Sequence, residues 1–343
     1  MSDPVNIGII GLGFGSQVHV PAFRLDPRCR VAAIAGRDKE KAAAVARDLS
    51  IETSHADWLE LIENPELDAI SIAVPPCAQA EIAKAAIQAG KHLFCEKPLA
   101  ANGAEAAELF DVATAKETIH AVDFIFPELP LWIEARELIN GNQLGNIRHA
   151  DLNWRVETYA SKVKARTWKN DPGQGGGVLN NFVSHVAHNI EWLFGEIESI
   201  SADLRGPGGV ETCVQATMDM RAGFPVFISV ASDAFLGHGH SLAVYGELGT
   251  LLLENRTRDY ASGFELSLGT RAARALELIS RDQSPEGVDG RVAPVSRIAS
   301  RFLDAIIDGA PMNPNFADGL RAQQILDEMR ASSESKTQTG VAR

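Results

Sequence analysis

Over its first third the chain alternates short apolar runs with stretches that repeat apolar positions every three or four residues. Residues 5–10, 31–35, 69–74, 92–95 and 119–122 are short and mostly apolar, the pattern of strands buried on both faces. Between them, residues 38–49, 79–88 and 104–116 carry a helical period, and another helix runs through Phe23. That βαβ rhythm predicts an α/β fold with a doubly wound parallel sheet and helices on both faces. After about Val122 the rhythm changes. One helix, 178–194, follows the glycines at 173–177, and strand-like runs then come in close succession at 197–204, 212–220, 226–231, 241–245 and 250–253. Closely spaced strands broken by Gly or Pro predict an α+β domain with an open, mostly antiparallel sheet.

The strand ends carry the candidate chemistry. The first strand runs into Gly11-Leu12-Gly13-Phe14-Gly15-Ser16, a glycine turn opening a helix. Such a turn lets backbone N–H groups approach a pyrophosphate at a helix N-terminus, which makes Gly11, Gly13, Phe14 and Gly15 candidate dinucleotide contacts. Ser16 stands where a third glycine is expected. Past the third run comes Pro75, a further candidate cofactor contact, and past the fourth a cation appears, in Glu96-Lys97-Pro98. The carboxyl ends of parallel strands are where open α/β sheets keep their ligands. The expected organisation is therefore a Rossmann dinucleotide-binding domain over residues 1–122 and a substrate-binding and oligomerisation domain over 123–331. A surface loop is expected at 280–294 and a polar, frayed tail at 332–343.

Length and charge narrow the partners. A chain of 343 residues is long for one core. Its net charge of −13 argues against nucleic acid and anionic membrane surfaces. No apolar run is long enough to span a bilayer, and no basic segment followed by an apolar one opens the chain, so a cytoplasmic protein with a small-molecule substrate is expected. The four cysteines, Cys29, Cys77, Cys95 and Cys213, have no CxxC spacing, which indicates neither a zinc site nor a disulfide framework.

The glycine turn with His19 after it, Val74-Pro75-Pro76, Ala89-Gly90-Lys91 leading into Glu96-Lys97-Pro98, the 175–179 glycine run, His185 and Asp318-Gly319-Leu320 together resemble the Gfo/Idh/MocA family of NAD(P)-dependent oxidoreductases. The resemblance spans nearly the whole chain. It implies hydride transfer between a nicotinamide and a carbinol or carbonyl carbon of a sugar, cyclitol or related polyol, without a metal. The other reading is a cofactor-binding regulatory protein of the same fold without turnover. The family also implies a homo-oligomer, dimer or tetramer, and a cis peptide before Pro98.

In that family the helix after the glycine run lines the substrate cleft, with an Asp and a His four residues apart. Here Asn181 stands in place of the Asp, which leaves proton transfer to His185 and Lys97. His185 is expected as acid/base and Lys97 as electrostatic stabiliser, with exchangeable roles. A 100° wheel puts Asn181, Ser184, His185 and His188 on one polar stripe, away from Leu179, Phe182, Val183, Val186, Ile190 and Leu193. Asn181, His188 and Trp168 are expected to touch substrate, with Lys169, Tyr159, Lys162 and Lys164 nearby. Glu96 either contacts the nicotinamide ribose or anchors its loop. At the second strand's end Gly36 replaces the acid that would hold the adenosine ribose, and Arg37 follows; NADP is favoured, while Asp38 keeps NAD open. Gln79, where the family often has His, bears on substrate choice, and residues 124–128 lack an Arg often found there, which favours a neutral sugar or polyol.

Overall fold

The computed structural model describes residues 3–163, 165, 167–285 and 287–341, so Lys164 lies outside the described residues. The chain forms two compact units, Met1–Ile125 with Arg291–Gln323, and Phe126–Gly290 with Gln324–Arg343.

In the first unit, β1 (Val5–Ile10), β2 (Cys29–Ala35), β3 (Thr53–His55), β4 (Ala69–Ile72), β5 (His92–Cys95) and β6 (His120–Val122) form one sheet in the order β3-β2-β1-β4-β5-β6. Every pair is parallel. The order reverses between β1 and β4, the position at which such sheets open a ligand crevice at their carboxyl ends. β4 is buried throughout, and β1 nearly so, because helices cover both faces. Those helices start where the sequence supplies caps. Asp38, Asp57 and Asn102 accept the N–H groups of Lys41, Leu59 and Glu105 at the heads of Lys39–Asp48, Trp58–Ile62 and Gly103–Ala115, and Pro76 begins Pro76–Gln88.

Arg291–Gln323, which the sequence reading places in the second domain, packs on this sheet instead. Phe302 of the helix Val292–Asp308 meets Phe23 and Phe94 edge-on, and Phe316 stacks on His120 at 4.5 Å. Arg28 completes the attachment, donating to Asp26 and Asp304 at 2.7 Å each. These contacts join residues far apart in the chain, so no local pattern announces them.

The second unit is built on nine strands: β7 (Ile147–Arg155), β8 (Ile197–Arg205), β9 (Cys213–Met220), β10 (Pro225–Ala231), β11 (Gly239–Gly246), β12 (Gly249–Asn255), β13 (Glu265–Thr270), β14 (Leu276–Arg281) and β15 (Thr339–Gly340). Their order is β14-β13-β12-β11-β7-β10-β9-β8-β15. Only β7 and β10 pair in parallel among them. The polar tail is a correction: a helix continues to Ser335, Thr339–Gly340 adds an edge strand to β8, and Ser332 and Ser333 are buried. Their hydroxyls accept the N–H groups of Ala202 and Leu204 at 3.0 Å, so these serines serve the sheet rather than solvent. No helix among the described residues is long and apolar enough to cross a membrane.

Candidate active site

The carboxyl ends of β1, β4, β5 and β6 are neighbours in the parallel sheet. After β1, Gly11 adopts φ +129°, and a Cβ there would lie 2.2 Å from the Ala73 carbonyl oxygen, so only glycine fits. A Cβ on Gly15 would sit 3.0 Å from an Ile9 methyl, whereas one on Gly13 would meet nothing within 4 Å. The turn is thus pressed on the sheet at Gly11 and Gly15 and open over Gly13, a shape that fits a pyrophosphate approaching backbone N–H groups. Ser16, in the third glycine's place, donates its hydroxyl to the Leu12 and Gly13 carbonyls at 2.9 and 3.0 Å and closes the turn on itself.

Beyond β2, Gly36 lies under Leu12, whose side chain would be 2.4 Å from an added Cβ. Asp38 caps the next helix by accepting the Lys41 N–H at 3.0 Å. Arg37 is an exposed cation beside it. Pro75, half-buried, precedes the helix that starts at Pro76.

After β5, Lys97 is half-buried and joined to Pro98 by a cis peptide. Gln79 corrects the sequence reading that tied it to substrate. It is buried, and its Nε2 donates to the carbonyl oxygens of Glu96, Pro98 and Leu99 at 2.6, 3.0 and 3.1 Å, clamping the Lys97 turn. From the other side, Glu96 Oε2 accepts the Lys97 N–H at 3.2 Å and Oε1 lies 3.2 Å from His19 Nε2. These bonds anchor the loop, one of the two jobs read for Glu96.

His19 is fully buried between the edges of Phe14 and Phe94, with Nδ1 2.7 Å from Ser71 Oγ and Nε2 3.5 Å from Asp123 Oδ2. Burial works against its charge, but hydrogen bonds and the charges of Asp123 and Glu96 outweigh it and raise its pKa to about 9. Burial, and next the Glu96 charge, push the Asp123 carboxyl up to about 7. Burial also opposes the Glu96 charge, yet His19 and Lys97 hold its pKa below the usual range. Sequence reasoning assigned His19 no role and passed over Asp123. Ligand atoms of His19, Glu96 and Asp123 lie within 4.8 Å of one another, as in some metal centres, but here the groups bond among themselves and to the backbone of Lys97.

In the second unit the glycine run is needed for close approach: a Cβ on Gly176 would lie 2.2 Å from the Trp168 carbonyl oxygen, and Gly177 adopts φ +117°. Trp168 is half-buried in a 3₁₀ turn, Trp168–Asn170, while Lys169, Tyr159 and Lys162 are exposed. The next helix begins with a π turn, Leu179–Val183, before the α-helix Ser184–Phe194. That turn interrupts the uniform 100° step between Asn181 and the rest of the polar stripe, which lies in the regular helix from Ser184 onward. Ser184 and His185 are buried, and Asn181, Phe182 and His188 half-buried.

His185 lies edge-on to Phe126 at 5.0 Å and 6.3 Å from Trp154, against which His240 stacks at 4.5 Å. Burial lowers the pKa of His240 to about 3 and that of His188 to about 4, so both are neutral imidazoles at pH 7. Asn180, not singled out from sequence, ties this helix down: it donates to the Gly175 carbonyl and accepts from Arg330, both at 3.0 Å. The structure thus gathers the glycine turn, Arg37, Pro75 and Lys97 along one sheet edge of the first unit, and Asn181, His185 and His188 on one helix of the second.

Residues 5–124 match the family described as "Oxidoreductase family, NAD-binding Rossmann fold", and residues 132–252 match the "GFO/IDH/MocA C-terminal domain". An uncharacterized oxidoreductase of Synechocystis sp. is 31% identical over 98% of this chain and 95% of its own length. Levoglucosan dehydrogenase of Pseudarthrobacter phenanthrenivorans is 26% identical over 98% of each chain. A solved levoglucosan dehydrogenase, in complex with NADH and levoglucosan, superposes with a TM-score of 0.89 at 25% identity, over 99% of this chain and 100% of that one. A D-xylose 1-dehydrogenase (NADP(+)) of Haloferax volcanii is 32% identical over 66% of this chain and 69% of its own.

Proposed function

We propose that this chain, which belongs to the Gfo/Idh/MocA family of oxidoreductases, moves a hydride between a nicotinamide dinucleotide and a carbinol or carbonyl carbon of a sugar, cyclitol or related polyol. The observation that carries the reading is Lys97, a cation at the carboxyl end of β5, next to β4 and clamped by Gln79 and Glu96. Relatives named as levoglucosan and xylose dehydrogenases support the substrate class.

In this reading Gly11, Gly13, Phe14, Gly15, Gly36, Arg37, Asp38 and Pro75 hold the dinucleotide, and Glu96 acts there through the Lys97 turn. The nicotinamide, when bound, supplies or accepts the hydride. Lys97 binds the substrate oxygen and stabilises negative charge as it forms. His185 takes or gives the hydroxyl proton, a role Asn181 cannot share because a carboxamide is no base at neutral pH. The two roles are exchangeable between Lys97 and His185. Asn181, His188 and Trp168 supply substrate contacts. His188 is kept neutral by burial, and a neutral imidazole has one nitrogen that can donate and one that can accept.

Arg37 is the group available for a 2′-phosphate, which favours NADP over NAD; the Asp38 carboxylate caps a helix. A homo-oligomer, dimer or tetramer, accompanies the reading, with Phe227 an exposed apolar residue on the nine-stranded sheet.

The test is nicotinamide absorbance across a panel of sugars and cyclitols with each cofactor, repeated with Lys97→Met and Arg37→Ala. Lys97→Met turning over the best substrate within a few-fold of wild type would sink the assignment of Lys97. Unchanged NADP affinity in Arg37→Ala would sink the cofactor preference.

A further inference from the structure

We propose that Asp123 and His19 are positioning residues for Lys97: with Glu96 they form a buried network that, while Asp123 keeps its proton, holds an imidazolium, a carboxylate and a neutral carboxyl, a neutral platform beneath the Lys97 turn. The inference rests on the oxidoreductase reading of Lys97 and extends it to residues that touch neither substrate nor cofactor in that reading.

Hydrogen-bond accounting carries it. Both oxygens of Asp123 are buried, and neither has a well-formed hydrogen bond: the nearest donor, His19 Nε2, stands 3.5 Å from Oδ2, at the limit of a hydrogen bond, and lies closer to Glu96, at 3.2 Å. A bare carboxylate so placed lacks the bonds that would offset its lost hydration. Its other near neighbour is the Glu96 carboxyl, which has no donor of its own to offer when ionised. A proton on Asp123 removes the conflict, because the neutral acid becomes a donor toward Glu96. Glu96 stays ionised, since it accepts from His19 and from the Lys97 N–H. One imidazolium then balances one carboxylate.

The surroundings make this balance matter. β4 contributes only the Ser71 hydroxyl, 2.7 Å from His19 Nδ1. The helix Val292–Asp308 packs on the His19 turn, β5 and β6 with Val295, Ile298, Ala299 and Phe302 buried, and Arg291 at its start lies 5.1 Å from the Phe14 ring centroid. Further along β6, burial keeps His120 neutral, with Asp318 near it. Among the described residues, the charged groups that face the network are its own three members, Lys97, and Arg291 behind Phe14. When Asp123 loses its proton, a net negative charge appears beneath Lys97 and holds the ammonium to higher pH.

Asp123→Asn tests this, because a carboxamide donates to Glu96 as the neutral acid does but cannot ionise. The expected result is an alkaline limb of kcat moved down by about one pH unit, with the KM for sugar and the Kd for dinucleotide unchanged. A limb coincident with wild type overturns the proposal. Histidine-selective ¹⁵N NMR of the wild-type protein, with His19 assigned through His19→Asn, provides a readout that needs neither turnover nor a stable Asp123 variant. His19 remaining an imidazolium at pH 7.5 supports the network; a neutral His19 there overturns it. A stoichiometric divalent cation in the purified protein also overturns it, because the metal would take the protons' place. If no sugar is oxidised while His19 is charged, the functional reading of Lys97 fails and the network stands.

Discussion

Replacing Gln79 by Met tests whether the Lys97 turn is held by a side chain or by its own backbone. Methionine keeps nearly the same length and volume, so packing changes little, but it removes the amide donors. Nε2 serves three carbonyl oxygens, at 2.6, 3.0 and 3.1 Å, with two hydrogens, so the loss is two hydrogen bonds' worth rather than three. Leaving buried acceptors unsatisfied costs roughly 1–3 kcal/mol each, so the first unit should lose about 2–6 kcal/mol of stability. The larger effect should be on rate. The turn that aims Lys97 is released on the Gln79 side, and a displacement of about 1 Å at a reacting group costs on the order of 100-fold. Urea unfolding followed by circular dichroism would report the stability, and steady-state kinetics on the best sugar of the panel the rate. kcat should fall by about 10- to 100-fold while the dinucleotide Kd stays near wild type, because Gln79 bonds none of the glycine-turn residues. A Gln79→Met protein as stable and as fast as wild type would refute the clamp.

Other perturbations follow from the same geometry. Gly11→Ala forces a Cβ to within 2.2 Å of the Ala73 carbonyl at φ +129°, so a fluorescence titration with NADH should show binding lost; retained affinity would mean the turn is not the dinucleotide cradle. Arg28 holds the pKa of Asp26 down to about 2, so the pair adds stability above the ordinary carboxyl pKa and loses it as pH falls through about 2. Asp26→Asn should therefore cost about 1–2 kcal/mol at pH 7 and flatten the acid limb of a thermal-stability profile. Asp123 has the opposite sign: with its folded pKa raised to about 7, its contribution is full below the unfolded value near 4 and is lost as pH rises through 7. Asp123→Asn should thus raise the unfolding free energy at pH 8, by an amount on the order of 2 kcal/mol, and leave it nearly unchanged at pH 4. The raised pKa of His19 makes its own contribution full below about 6.5 and lost through about 9, so the wild-type unit should weaken steadily over the alkaline range.

The parallel sheet is legible in the chain because β1, β2, β4 and β5 are buried on both faces and their sequences contain little else than apolar residues. β7 is harder to read. Ala150, Leu152 and Trp154 face the core while His149, Asp151 and Asn153 alternate with them, a period of two written in mixed residue types. β15 is two residues long and exists through its pairing with β8, which no local pattern encodes. The helix wheel over 178–194 applies from Ser184 onward but not at its start: its 100° step holds only while the backbone bonds four residues back, and the π turn at Leu179–Val183 suspends that. The wheel puts His185 on the polar stripe; that its ring is buried edge-on to Phe126 depends on a residue 59 positions earlier and is not legible locally.

Asp123 shows a different limit. The rule that singles out Lys97, a charged residue where a parallel strand ends, applies equally after β6, where Asp123 donates its N–H to the Cys95 carbonyl and extends the sheet by one step. Sequence reading passes it by because a lone Asp after a three-residue strand looks like a turn residue. Its character comes from His19, which the glycine turn carries under Phe94, and from Glu96, which β5 delivers beside both. An ionisable group in the interior is defined by the groups the fold sets around it, so its chemistry becomes readable only once the strand order brings the ends of β5 and β6 together.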